Sequence, residues 1–259
     1  PSITKFGMAA RLPGKELTIS DKMEVSLDGI PTGSTANRSA ILNAANPDSV
    51  AVTYTDLLQM KKIERRALVQ GKEIVYIYHN TIDAIGDKPA TETKVFEACD
   101  AAISELNAII RIIVNDLSGI NIFITADHGF LYTYKPLEES QKISRHTFSG
   151  EFYELGRRYA LVPLETSADY LLPVKTEREI GGIPMKGYAP QDTVRIKVQG
   201  GGDNYVHGGI SLQEMVVPVI VYKGMRSGYK QYVEVQNPGL SLISESRKVS
   251  NLIFSLDFL

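Results

Sequence analysis

Apolar and polar positions change their spacing several times along this chain. Across residues 55–71, Leu57, Leu58, Met60, Ile63 and Leu68 recur among charges at helical intervals, and a glycine closes the segment. Ile74–Tyr78 is an unbroken run of β-branched and aromatic residues, which predicts a buried strand. Residues 91–117 then set Val95, Phe96, Ala98, Ile103, Leu106, Ile109, Ile110 and Ile113 on one stripe, a long amphipathic helix ended by Gly119. Residues 120–125 repeat the strand pattern. Strand, long helix and strand form a βαβ unit, whose crossover is right-handed and which predicts parallel neighbouring strands.

The flanks read differently. Residues 1 to about 50 are rich in Gly, Pro, Ser and Asn, with a short helix predicted at 8–12 and an alternating strand at 22–27. Between about 135 and 210 the pattern gives shorter strands, at 159–163, 170–174 and 193–198, separated by polar turns. An apolar strand returns at 215–222, and 232–236 alternates as another. The fold class is therefore α/β, with a β-rich section inserted or appended. A main domain is expected over 1–225, and 226–259 should hold a β segment and the start of a further element.

Composition narrows the function classes. With 259 residues, 43% apolar and 22% charged, the chain is globular rather than disordered or coiled-coil. Its apolar runs fall short of the ~18 residues that cross a bilayer. The balance of 28 Lys+Arg against 30 Asp+Glu gives a net charge of −2, so no whole-chain basic field draws in nucleic acid. The single cysteine, Cys99, excludes an internal disulfide and a thiolate zinc cage, and fits a reducing, cytoplasmic compartment. A chain that opens on Pro1 is expected to be a piece of a longer protein.

The candidate chemistry sits after the strands, where open α/β sheets bind ligands. The run ending at Tyr78 leads into His79-Asn-Thr-Ile-Asp83-Ala-Ile-Gly-Asp87, and the next leads into Ala126-Asp127-His128-Gly129. Asn204-Tyr-Val-His207-Gly-Gly adds a third histidine in a glycine-rich turn, whereas His146 reads as a surface residue. Carboxylate and imidazole together suit divalent ions such as zinc, with a position left open for chemistry. Each group alone has a bland account as a turn former or loop residue; their joint placement at strand ends is the signal. No Gly-x-Gly-x-x-Gly or Gly-Lys-(Ser/Thr) phosphate loop is present.

Four segments in order, Pro1-Ser-Ile-Thr4, Tyr78 to Asp87, Thr125-Ala-Asp-His-Gly-Phe130 and Val206-His-Gly-Gly-Ile-Ser-Leu-Gln-Glu-Met215, together resemble the PglZ family. That family belongs to the alkaline phosphatase superfamily and to the BREX bacteriophage-defence systems. The resemblance implies an alkaline-phosphatase-like sheet flanked by helices and two divalent metal ions, zinc first, with manganese or magnesium as alternatives. It implies Thr4 as nucleophile, Asp127 and His128 on the metal that serves Thr4, and Asp83, Asp87 and His207 on the second. Lys5 and Arg157 are candidate contacts to phosphate. The implied activity is hydrolysis of phosphomonoesters or phosphodiesters, on nucleotides or nucleic acid, beside other proteins of a defence complex and without a membrane. The superfamily pattern also starts with an aspartate on an earlier strand, which this sequence lacks. A catalytically incomplete scaffold within such a complex is therefore the alternative.

Overall fold

The structure, a computed structural model, describes residues 2–135, 137–174, 181–200 and 202–224. The chain divides into a unit Pro1–Lys223 and a unit Gly224–Leu259. The strand expected at 232–236 and the element expected toward Leu259 lie outside the described residues.

The first stretch contains α1 (Thr4–Ala9), β1 (Leu17–Ile19), β2 (Val25–Leu27), β3 (Ile30–Pro31), α2 (Thr35–Ala45), β4 (Ser49–Thr53), α3 (Tyr54–Gln59) and α4 (Lys62–Val69). The middle stretch runs β5 (Ile74–Tyr78), α5 (Thr81–Gly86), α6 (Val95–Asn115), β6 (Asn121–Ile124) and β7 (Leu131–Tyr132). The last contains β8 (Lys142–Ile143), β9 (Glu154–Leu155), β10 (Ala160–Pro163), β11 (Leu171–Val174), β12 (Gly181–Gly182), β13 (Met185–Pro190), β14 (Arg195–Ile196), β15 (Tyr205–Val206), α7 (Leu212–Met215) and β16 (Ile220–Lys223).

Two four-stranded sheets, ordered β12-β1-β2-β3 and β11-β13-β10-β9, form the β-rich portion. The parallel pairing of β1 with β12 ties the late section to the start of the chain, so it is built into the domain rather than hung from it. Strand β10 is covered on both faces. Its Ala160 and Val162 join a cluster with Phe148, Leu171, Tyr188 and Ile196, while Leu161 joins Ile3, Ala9, Ile19, Val25 and Met185. The second cluster anchors the helix that carries Thr4.

Several sequence expectations need correction. The helix expected across 55–71 is two helices, because Met60 and Lys61 are extended between α3 and α4. Arg65 donates from Nε to Leu57 O at 2.8 Å and from Nη2 to Leu58 O at 3.1 Å, which satisfies carbonyls at the end of α3. Glu64 accepts the Lys61 amide at 2.6 Å and caps the start of α4. The strand expected across 215–222 is strand only from Ile220, in β16: Met215 ends the short helix α7, which Glu214 caps by binding the amide and hydroxyl of Ser211, and 216–219 form no regular element. The early helix starts at Thr4 rather than residue 8, and the strand at 22–27 begins only at Val25 because Met23 has φ 61°.

The βαβ strands also differ from expectation. β5 pairs in parallel with β4, and β6 pairs antiparallel with β16; among the described residues β5 and β6 are not hydrogen-bonded to each other. Nor are they fully buried, since β5 is half-buried and β6 alternates exposed and half-buried positions. The stripe on α6 is narrower than predicted. Val95, Ala98, Ala102 and Ile109 are buried, whereas Phe96 and Ile103 are exposed.

Candidate metal centre

Three segments converge at one place. β5 delivers the chain into α5, where Asp83 lies in the first turn and Asp87 follows the last residue, four positions on and so on the same face. β6 runs into the loop carrying Asp127 and His128. Arg11 holds that loop by donating to Ala126 O from Nη2 at 2.8 Å, and the Gly129 amide bonds Glu214 O at 2.9 Å. The third segment arrives through β15, which pairs antiparallel with β7 (Tyr205 opposite Tyr132, Val206 opposite Leu131). That register sets His207 beside His128, and their rings stack with centroids 4.0 Å apart and 6° between planes.

Thr4 is held firmly. Ser2 is buried and bonded to the glycine turn before α7: its amide reaches Gly209 O at 3.1 Å, and its hydroxyl accepts the Gly208 amide at 2.9 Å. Gly7 lets α1 approach closely, since a Cβ there would lie 2.5 Å from Asp127 O. The Thr4 hydroxyl then sits 3.0 Å from His128 Nε2. On the other side of the ring, Nδ1 donates to Gly129 O at 3.0 Å, which assigns the proton to Nδ1 and leaves the Nε2 lone pair free.

Around that nitrogen lie Asp127 Oδ2 at 3.4 Å and Asp83 Oδ2 at 3.7 Å. Asp83, Asp127 and His128 each offer a ligating atom, all within 4.8 Å of one another. Asp127 Oδ2 is buried and has no hydrogen-bond partner. A buried carboxylate oxygen without a donor is costly unless a cation completes it. Two carboxylate oxygens and one neutral imidazole nitrogen are a fitting donor set for a zinc-like or harder divalent ion.

Asp87 and His207 form the second part, with His207 Nε2 at 3.5 Å from Asp87 Oδ1 and Nδ1 at 3.3 Å from Ser2 O. Asp87 is the most open of the group, its side chain 55% exposed against 2% for His128. Burial alone would lower the His207 value, but the Asp87 contact and the charges of Asp83 and Asp87 outweigh it and raise the imidazole above its ordinary range. Asp83 lies near both parts, within 4.8 Å of the Asp127 and His128 ligand atoms and close enough to act electrostatically on His207.

Of the two expected phosphate contacts, Lys5 lines the cavity beside Thr4 and Arg157 does not, and both have protein partners. The Lys5 ammonium pairs with Glu154 and donates to Met23 O at 2.9 Å. Arg157 binds Asp203 Oδ1 at 3.1 Å and the Gly200 carbonyl, and it does not line the cavity beside Thr4. Its neighbour Arg158 is only 1% exposed and forks onto Glu214 at 3.1 and 3.0 Å. His146 is exposed, as expected. Sequence reasoning missed Tyr205, whose hydroxyl donates to Asp83 Oδ1. Burial, and then the negative charge of Asp83, push that phenol well above its usual value. Its position two residues before His207, and so on the same side of an extended segment, was the available signal.

A mixed α/β domain with carboxylates and imidazoles gathered at strand ends beside a helix-borne hydroxyl has the layout of an alkaline phosphatase-like domain. A family model described as the BREX system PglZ alkaline phosphatase-like domain matches residues 1–222. The chain belongs to the PglZ family. Alkaline phosphatase-like protein PglZ of Bacillus cereus (strain H3081.97) is 37% identical over 259 residues, covering 100% of this chain and 30% of that protein. Alkaline phosphatase-like protein BrxZ of Escherichia coli O9:H4 (strain HS) is 34% identical over 263 residues, covering 97% of this chain and 30% of that protein. The chain thus spans about 30% of the length of these curated relatives. No solved structure matches it. No helix among the described residues is long and apolar enough to cross a membrane.

Proposed function

We propose that this chain is the metal-dependent phosphohydrolase portion of a cytoplasmic BREX-type defence protein, acting on phosphate monoesters or diesters of nucleotides or nucleic acid. Thr4 is the nucleophile, and Asp83, Asp87, Asp127, His128 and His207 hold two divalent ions, zinc first, with manganese or magnesium as alternatives. The observation that carries this reading is the Thr4 hydroxyl 3.0 Å from His128 Nε2, in a group where Asp127 Oδ2 is buried without a donor. Bound divalent ions would supply Lewis-acid stabilisation of the phosphoryl oxygens.

The chain's own groups divide the remaining work. Gly129 O fixes the His128 tautomer, so Nε2 is the ring nitrogen that would ligate an ion beside the Thr4 hydroxyl. Thr4 Oγ1 attacks phosphorus as the bond to the leaving ester oxygen breaks, and its proton passes to solvent. Water then releases phosphate from Thr4. Tyr205 orients Asp83 through its hydroxyl.

The test is zinc- or manganese-dependent hydrolysis of p-nitrophenyl phosphate and bis(p-nitrophenyl) phosphate, with metal content measured in parallel. Thr4→Ala is expected to abolish turnover and keep bound metal, whereas Asp127→Asn loses both. Full activity in both variants would sink the site assignment. The scaffold reading draws on the exposed apolar strands β6 and β16, where Phe123 is 69% and Val221 61% exposed, a surface suited to a protein partner. Under it, both variants keep partner binding and the wild type holds no metal.

A further inference from the structure

Beside Thr4 lies a cavity of about 720 Å³, bounded by the start of α2, the ends of β4 and β5, and α1. No Asp or Glu lines it, although Asp83, Asp87 and Asp127 gather close by on the other segments that meet at Thr4. Its basic groups are Lys5, Arg38 and His79. Two of these are committed: Lys5 to Glu154, and His79 through Nε2 to Glu105 Oε2 at 2.5 Å. Arg38 is not. Its guanidinium lies 4.1 Å over the Tyr78 ring, Nε donates to Ser34 O at 3.2 Å and Nη1 approaches Met8 Sδ at 3.3 Å, and it meets no carboxylate among the described residues.

A half-buried guanidinium gives up part of its hydration, and one carbonyl, a thioether and a ring face replace little of it. A phosphate would, because its oxygens match the planar donor fork. Stacking on Tyr78 holds that fork in a fixed plane at the cavity wall. We propose that Arg38 forms an anion subsite beside Thr4 that takes a second phosphate of the substrate, so that esters carrying two phosphates bind in preference to those carrying one. The subsite deepens the phosphohydrolase reading and rests on it for the first phosphate.

The test titrates the zinc-loaded 259-residue chain with inorganic phosphate, pyrophosphate and a 5′-phosphorylated dinucleotide by calorimetry. At least one two-phosphate probe is expected to bind about tenfold to a hundredfold tighter than phosphate, the scale of one charge-assisted contact. Arg38→Ala should erase that preference and Arg38→Lys keep part of it. Arg38→Gln, checked for intact melting, separates lost charge from lost fold. Whichever probe gains identifies a pyrophosphate or a diester linkage. Equal wild-type affinity for one- and two-phosphate probes, or an unchanged preference in Arg38→Ala, overturns the subsite. Because the readout is binding rather than turnover, a failed hydrolysis assay defeats the phosphohydrolase reading without altering this result.

Discussion

β10 and β6 are both four-residue, mainly apolar strands, yet they end in opposite surroundings. Ala160, Leu161 and Val162 of β10 are 0% exposed, while Phe123 in β6 is 69% exposed. Asp83, Asp87, Asp127 and His128 follow the poorly buried strands β5 and β6. Their precision comes from the well-buried side. Ile3 and Ala9, which flank Thr4, share a core cluster with Leu161 and Met185, and Ser2 is bonded to the turn before Glu214. The comparison teaches that the β-rich section is the frame of the site, and that the strands leading into it add less to stability.

The hardest blow to that comparison is aimed at Arg158. Replacing it by Leu leaves the Glu214 carboxylate buried without its guanidinium, which should cost about 3–5 kcal/mol in denaturant unfolding. A loss under 1 kcal/mol on that scale would mean the frame does not depend on the pair. The same pair predicts a pH dependence. Burial would raise the Glu214 carboxyl, but Arg158, the Ser211 hydroxyl and the Gly209 amide outweigh it and hold it below the usual range. A carboxyl lowered in the fold contributes stability above its unfolded value of 4.5 and loses it as pH falls through the folded value. Unfolding free energy measured from pH 6 down to 3 should therefore fall more steeply in the wild type than in Glu214→Gln.

Next in size, Leu161→Ala should cost about 2–5 kcal/mol by leaving a cavity in the cluster that seats α1. Smallest, Phe123→Thr should change stability by no more than about 0.5 kcal/mol, because the side chain is already in water. Thermal melts of the two variants side by side sharpen the contrast. Similar losses in both would show that β6 is buried in solution, and the comparison between the regions would then collapse.

Much of the site was legible before any coordinates. Asp83, Asp87, Asp127, His128 and His207 stand in short polar segments next to apolar runs, and local spacing is enough to notice them. The two breaks in regular structure were not legible. The helix across 55–71 divides because the Arg65 side chain reaches back to carbonyls of α3, and residues 211–215 coil because a Glu214 carboxylate caps Ser211. Hydrophobic periodicity does not register either contact. Arg157 is a candidate phosphate contact by sequence; in the structure Asp203 pairs with it, while Glu214 pairs with its buried neighbour Arg158. Nothing in the sequence distinguishes the two arginines, because their partners lie on distant segments.

By itself, then, the sequence determined the mixed α/β character, the location of β5 and α6 to within a few residues, and the family to which the chain belongs. Those properties follow from local periodicity and from short motifs. Only the tertiary structure decided which strands pair, which apolar faces are covered, that His207 stacks on His128, and that Arg38 is left facing a cavity without a carboxylate. Each depends on a register between segments far apart in the chain. Such registers are selected by burial and hydrogen bonding across the whole fold, and no local window of residues contains them.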